Sequence, residues 1–268
     1  GILSQKYYEP VQFERAIICA GATENSLIFE NNDLPGIYGA GAVQTLMNVH
    51  GIRPGKKVLM VGSGNIGLIV SYQLMQAGVE VVGLVEALPT IGGYLVHASK
   101  IRRQGVPIYT CHTIKQALGT EHVEGALLVR IDEKFQPLPD TELQISCDCI
   151  CLAVGLSPLI DLLQQGECRM VFVPELGGLV PLQDAWMRTT HPHIYVAGDA
   201  SGIEEATTAI LGGRVAGARA HENLHGKSAD GEKIVADAEA ELKTLRSGST
   251  GERIRWGRDR LLKEIAEC

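Results

Sequence analysis

The chain has 268 residues, 45% hydrophobic and 21% charged, enough for about two domains with sizeable cores. A formal net charge of −7 with no basic stripe argues against a nucleic-acid partner. The sequence shows neither a secretory leader pattern nor an apolar run of membrane-spanning length, so it reads as a soluble, cytoplasmic protein with no membrane partner. The cysteines are Cys19, Cys111, Cys147, Cys149, Cys151, Cys168 and Cys268. In Cys147-Asp148-Cys149-Ile150-Cys151 the three thiols are expected on one face of a structural strand, because metal sites use longer spacings. No metal site is expected.

In chain order, Arg15–Cys19 reads as a short strand leading to Gly21. Asp33-Leu34-Pro35-Gly36 is turn chemistry, and Ala42–Met47 reads as a helix. From residue 56 strand and helix alternate. Val58-Leu59-Met60-Val61 is a buried strand, Ile66–Gln76 a helix stopped by Gly78, and Val81–Val85 a second strand. Leu95–Arg103 is a second helix and Ile108-Tyr109 opens a third strand. Such a βαβαβ run predicts a parallel sheet with right-handed crossovers. Val123–Ile131 and Gln144–Val154 are expected as antiparallel strands around Pro137–Pro139. Ile194–Val196 is a buried strand running into Ala197-Gly198-Asp199, followed by a small-residue helix over about Glu204–Asn223. Residues 227–268 are polar and helical, with Ser249 and Glu252 spaced as a capping box.

The densest signal is Gly62-Ser63-Gly64-Asn65-Ile66-Gly67, which follows a strand and opens a helix. Gly62 permits the tight turn, Gly64 lets a pyrophosphate approach the backbone, and Gly67 lets helix and strand pack closely. The helix N-terminus offers amides and partial positive charge to phosphates. Glu86 ends the next strand, nineteen residues after Gly67, where a carboxylate can accept hydrogen bonds from both adenine-ribose hydroxyls. A 2′-phosphate would meet that charge, and Ala87, Leu88 and Pro89 supply no arginine, so NAD is favoured over NADP. Gly198-Asp199 places a second carboxylate at a carboxyl edge, where α/β folds bind ligands. The helix after it carries Gly212, Gly213, Ala216, Gly217 and Ala220, a face expected to allow very close packing.

With these residues in view, positions 15–225 resemble the two-dinucleotide-domain flavoproteins of the pyridine nucleotide–disulfide oxidoreductase superfamily. Ile17-Ile18-Cys19-Ala20-Gly21 and Cys151-Leu152-Ala153-Val154-Gly155 look like the two strands that cross between that family's domains. Thr189–Asp199 is similar to its second flavin motif. Asn32–Gly36, Gly41–Leu46 and Ala206-Thr207-Thr208-Ala209 resemble one branch: the alpha-type subunits of heteromeric sarcosine oxidase, the A-type subunit of opine oxidase, and the corresponding hydrogen cyanide synthase subunit. The resemblance implies FAD and NAD as cofactors. Ala20, Gly21, Ala153, Val154, Gly155, Gly198, Asp199, Glu205, Ala206 and Thr207 would line the flavin, with Asp199 on its ribityl chain. It also implies an α/β fold in which a Rossmann-like NAD-binding domain, 51–150, is inserted into a partial FAD-binding domain, 1–50 and 151–226. A helical tail, 227–268, follows.

The sequence departs from the family in three ways. It has no C-x-x-C or C-x4-C pair for dithiol chemistry, no cysteine-rich iron–sulfur module, and no first flavin fingerprint ahead of Arg15. The nearest approach to that fingerprint, Gly39–Gln44, has glutamine at its third glycine. The expectation is a flavin domain completed by a missing N-terminal segment or a partner subunit, within an oligomer. His97, His112, His122, His191 and His193 read as surface or capping residues, and no catalytic base is nominated. The expected function is an FAD/NAD-dependent oxidoreductase subunit moving electrons between flavin and either nicotinamide or a partner subunit's amine substrate. The alternatives are a nonenzymatic nucleotide-binding scaffold and an NADH-dependent disulfide reductase.

Overall fold

A computed structural model describes residues 2–3, 7–248 and 251–267. The chain forms two compact units, 24–155 and 1–23 with 156–268.

The first unit is built on a five-stranded sheet in the order Ile37–Gly39, Cys149–Leu152, Lys57–Val61, Glu80–Glu86, Ile108–Thr110. Every pairing in it is parallel. Strand periodicity sends alternate side chains to opposite faces. Val58 and Met60 join Leu68, Val70 and Leu74 of helix Asn65–Gln76, together with Ala40 and Val43 of helix Ala40–Asn48 and Ala98 and Ile101 of helix Leu95–Arg103. Leu59 and Val61 point the other way, into a core shared with Ile114, Ala126 and Leu128. That second core is covered by an antiparallel sheet of His112–Leu118, Gly125–Arg130 and Leu143–Ser146. The layers are therefore helices, parallel sheet, antiparallel sheet. Each fully buried Leu or Met contributes about 1.5–3 kcal/mol, so the sheet is held on both faces.

Two expectations are corrected here. Gln144–Val154 is not one antiparallel strand. Leu143–Ser146 pairs antiparallel with Gly125–Arg130, whereas Cys149–Leu152 enters the parallel sheet beside Lys57–Val61. Asp148 makes the break, its carboxylate accepting from the backbone amides of Lys56 and Lys57 at 2.8–3.0 Å. The same break separates the thiols. Cys149 and Cys151 face the helices, while Cys147 faces the antiparallel sheet.

The second unit has a parallel pair, Ala16–Ile18 with Ile194–Val196, and an antiparallel hairpin, Met170–Val173 with Gly178–Pro181. Helix Ala206–His225 packs over Tyr195 and Ala197 through Leu211, Val215, Ala216 and Ala220, and helix Ala229–Leu245 joins this core through Ala238 and Leu242. Ser228 caps the latter helix, accepting from the Gly231 amide at 3.0 Å. Helix Glu252–Ala266 covers the hairpin through Leu261. Ser249 of the expected capping box lies outside the described residues. Of the small-residue face of helix Ala206–His225, Ala216 and Ala220 pack into this core, but its glycines are not required by close contact. A Cβ on Gly213 or Gly217 would meet nothing within 4 Å, and one on Gly212 only Met187 at 3.7 Å. Among the described residues no helix is long and apolar enough to cross a membrane.

Candidate functional site

The glycine loop sits at the carboxyl end of Lys57–Val61, anchored by the Gly62 amide donating to the Val85 carbonyl at 2.7 Å. Gly62 has φ 106°, and a Cβ there would lie 2.2 Å from the Ala153 carbonyl oxygen, so no larger residue fits. A Cβ on Gly67 would lie 2.2 Å from the Gly62 carbonyl oxygen and 3.2 Å from the Ala153 Cβ. Two of the three glycines are thus fixed by backbone contact. Gly64 differs: its Cβ position is open, with nothing within 4 Å. It is the N-cap of helix Asn65–Gln76, and no side chain caps that helix. An open approach to uncapped amides suits a phosphate.

Glu86 is buried, 9% exposed. Its carboxylate accepts from the Ser63 amide at 3.0 Å, the Ser63 hydroxyl at 2.5 Å and the Leu88 amide at 2.9 Å. Residues 88–94 then cross the glycine loop. The Gly93 amide donates to the Ser63 carbonyl at 2.9 Å and the Tyr94 amide to Asn65 Oδ1 at 2.8 Å. A Cβ on Gly93 would lie 2.8 Å from the Asn65 nitrogen. Sequence reasoning missed this second contributor, for which the Gly92-Gly93 pair is the one local signal. The structure brings together Gly62, Ser63, Gly64, Asn65, Ile66, Gly67 and Glu86, with Ala153 beneath them. Val154 packs into the antiparallel-sheet core, and Gly155 (φ 114°) accepts from the Asn25 amide at 3.0 Å.

In the second unit, Ile194–Val196 delivers Gly198 and Asp199 as a short 3-10 turn. A Cβ on Gly198 would lie 3.8 Å from the Ala209 Cβ, in the first turn of helix Ala206–His225. Glu205 is the N-cap of that helix, and Ala206 and Thr207 are exposed at its start. Gly21 (φ 82°) follows Ala20 at the end of the paired strand, its carbonyl accepting from the Leu159 amide at 2.9 Å. The Asp199 carboxylate receives no hydrogen bond among the described residues. Burial, and then the neighbouring Glu204 charge, raise its pKa above the ordinary value.

Beside it lies a group the sequence did not announce. Glu204, its side chain 6% exposed, accepts from Arg246 at 2.9 Å and from Arg258 at 2.7–2.9 Å. Burial alone would push the Glu204 carboxyl up, but the Arg258 and Arg246 guanidinium groups hold it below the ordinary range. Arg258 also donates to Ser201 Oγ at 3.2 Å. A cavity of about 10 Å³ remains between Asp199, Glu204 and the two arginines, room for one water.

Burial pushes the Cys147 and Cys149 thiols up to about 12, and that of Cys151 up as well. They are therefore protonated and inert at neutral pH. Among the described residues no three His, Cys, Asp or Glu side chains are placed to hold a metal ion.

A parallel sheet with a glycine loop at its carboxyl edge, an acidic residue ending the next strand, and a second strand ending in Gly-Asp define an FAD/NAD(P)-binding fold of the dinucleotide-dependent oxidoreductases. The chain belongs to the pyridine nucleotide-disulphide oxidoreductase family, whose model matches residues 3–213. It is 25% identical to hydrogen cyanide synthase subunit HcnB of Pseudomonas aeruginosa, over 77% of this chain and 48% of that protein. It is 26% identical to the A-type subunit of opine oxidase from Agrobacterium tumefaciens, over 80% of this chain and 44% of that one. The chain thus spans about half the length of these relatives. Its fold matches T. acidophilum thioredoxin reductase with a TM-score of 0.64 at 20% identity, covering 78% of this chain and 65% of that one.

Proposed function

We propose that the chain is part of an FAD/NAD-dependent oxidoreductase that works with a partner subunit. The observation that carries this reading is the glycine loop: Gly62 and Gly67 are held by backbone contact, Gly64 is open toward an uncapped helix, and a buried Glu86 stands beside them. These features fit the pyrophosphate and adenosine ribose of NAD. The Glu86 carboxylate opposes the 2′-phosphate of NADP. The unpartnered Asp199 carboxylate fits a polyol chain such as the ribityl of FAD. The uncapped N-terminus of helix Ala206–His225 adds partial positive charge for the flavin ring. Ala20, Gly21, Gly198, Glu205, Ala206 and Thr207 would line the flavin.

When bound, the two cofactors supply the redox chemistry, hydride exchange between nicotinamide and flavin; the chain's residues bind and orient them. Similarity to two relatives named as subunits supports a partner subunit; in this reading the partner would contribute the amine-type substrate site and the remaining flavin contacts. The buried, protonated thiols of Cys147, Cys149 and Cys151 disfavour a disulfide reductase. The experiment is an anaerobic titration of the assembled protein with NADH, followed at the flavin bands. Bleaching supports the reading. A bound flavin untouched by NADH favours the nucleotide-binding scaffold.

A further inference from the structure

The Glu86 carboxylate is already engaged on three sides. Both Ser63 donors, amide and hydroxyl, reach Oε2, and the Leu88 amide reaches Oε1. A carboxylate has about four acceptor directions, so one remains, on Oε1. Rotation of the group is blocked as well. Ser63 is fully buried, and its hydroxyl, its proton committed to Glu86, accepts from the Gly92 amide at 3.4 Å. The Gly93 amide holds the Ser63 carbonyl, and a Cβ on Gly93 would lie 2.8 Å from Leu68 Cδ1. The loop over Ser63 therefore has no slack.

We propose that Ser63 is a positioning residue that presets Glu86 to read one adenosine-ribose hydroxyl through its single free acceptor direction. The inference rests on the NAD reading above. An unrestrained carboxylate would chelate both hydroxyls of the ribose; one with Oε2 saturated engages one and leaves the other to solvent. The test measures calorimetric binding of NAD and of its 2′-deoxy and 3′-deoxy adenosine-ribose analogues, with unmodified protein and with Ser63→Ala.

In the unmodified protein one analogue should bind within about threefold of NAD. The other should bind at least about tenfold more weakly, the cost of a lost hydrogen bond to a charged group. Ser63→Ala keeps the backbone amide but frees one direction on Oε2, so the gap between the analogues should shrink. A merely structural role for Ser63 would weaken all three ligands alike and preserve the gap. Equal losses for both analogues, or a gap unchanged in Ser63→Ala, would overturn the proposal and leave the NAD reading intact. Failure of NAD itself to bind would overturn both.

Discussion

Replacing each fingerprint glycine by alanine should separate binding from folding. Gly64 has φ −66° and ψ 176°, a conformation alanine adopts freely. Its Cβ would meet nothing within 4 Å. Alanine is a poorer N-cap than glycine, by roughly 0.5–1 kcal/mol, but it stiffens the unfolded chain by about 0.4–1 kcal/mol. The two effects nearly cancel, so Gly64→Ala should melt like the unmodified protein. Its methyl group would project into the space assigned to the pyrophosphate, where overpacking costs about 1–3 kcal/mol. That corresponds to about 5- to 150-fold in NAD affinity. Gly67→Ala puts its methyl 2.2 Å from the Gly62 carbonyl oxygen, so helix and loop must part. This variant should lose about 1–3 kcal/mol of stability as well as NAD binding. The assays are calorimetry with NAD and thermal unfolding on the same preparations. Undiminished NAD binding by Gly64→Ala would refute the placement of the pyrophosphate, and with it the dinucleotide site.

Glu86→Ala should weaken NAD binding by about 1–3 kcal/mol, the loss of a charge-assisted hydrogen bond, and narrow the preference over NADP; equal binding of the two by the unmodified protein contradicts the assignment. In the assembled flavoprotein, Asp199→Ala should lower flavin occupancy after purification, and full occupancy with an unchanged spectrum counts against a flavin-binding role. Arg258→Gln removes one of the two guanidinium partners of the nearly buried Glu204, leaving Arg246 in place, and should destabilise the protein by about 1.5–3 kcal/mol. Because Glu204 is held below its ordinary value of 4.5, its pairing stabilises the fold above that pH. The contribution is lost as pH falls through the lower folded value. Acid unfolding should begin at higher pH in Arg258→Gln; an unchanged acid midpoint would show that the triad carries no net stability. In a Cys268→Ser background, exposed Cys19 should react with a thiol reagent at pH 8 well before Cys147, Cys149 and Cys151; prompt labelling of those three in the native protein would contradict their burial.

How much of the fold was legible depended on whether local pattern and burial agreed. Helix Leu95–Arg103 matches its expected bounds, and the fingerprint strand and helix each begin one residue earlier than read. There, apolar runs, glycine stops and a parallel-sheet environment all favour the same state. The strand His112–Leu118 went unread because His112, Lys115 and Gln116 interrupt any apolar alternation. It exists because Cys111, at φ 55°, reverses the chain and Ile114 and Ala117 find a core. The apolar run through Cys147–Cys151 concealed a change of sheet, since the polar side chain that breaks it, Asp148, takes up two backbone amides instead of solvent. Its partners, Lys56 and Lys57, are more than ninety residues earlier.

The same distinction governs the site. The dinucleotide loop is a local device: six consecutive residues and a carboxylate at a fixed distance, each required by backbone geometry that the sequence states outright. Gly62 and Gly67 could be assigned roles because no other residue tolerates their contacts. The charge triad beside Asp199 has no such local statement. Glu204 lies in a Glu204-Glu205 pair that any helix start would favour, and Arg246 and Arg258 belong to helical stretches rich in charge. Nothing in their spacing, 42 and 54 residues from Glu204, singles them out from solvated neighbours. What selects them is packing. Leu261 and Gly257 seat the last helix on the hairpin, Gly257 because a Cβ there would lie 2.8 Å from Leu176 Cγ. Once seated, that helix carries Arg258, one residue on from Gly257, to Glu204. A Gly257 side chain would lift the helix and pull one guanidinium from a nearly buried carboxylate, so an apolar contact sets the electrostatics next to Asp199.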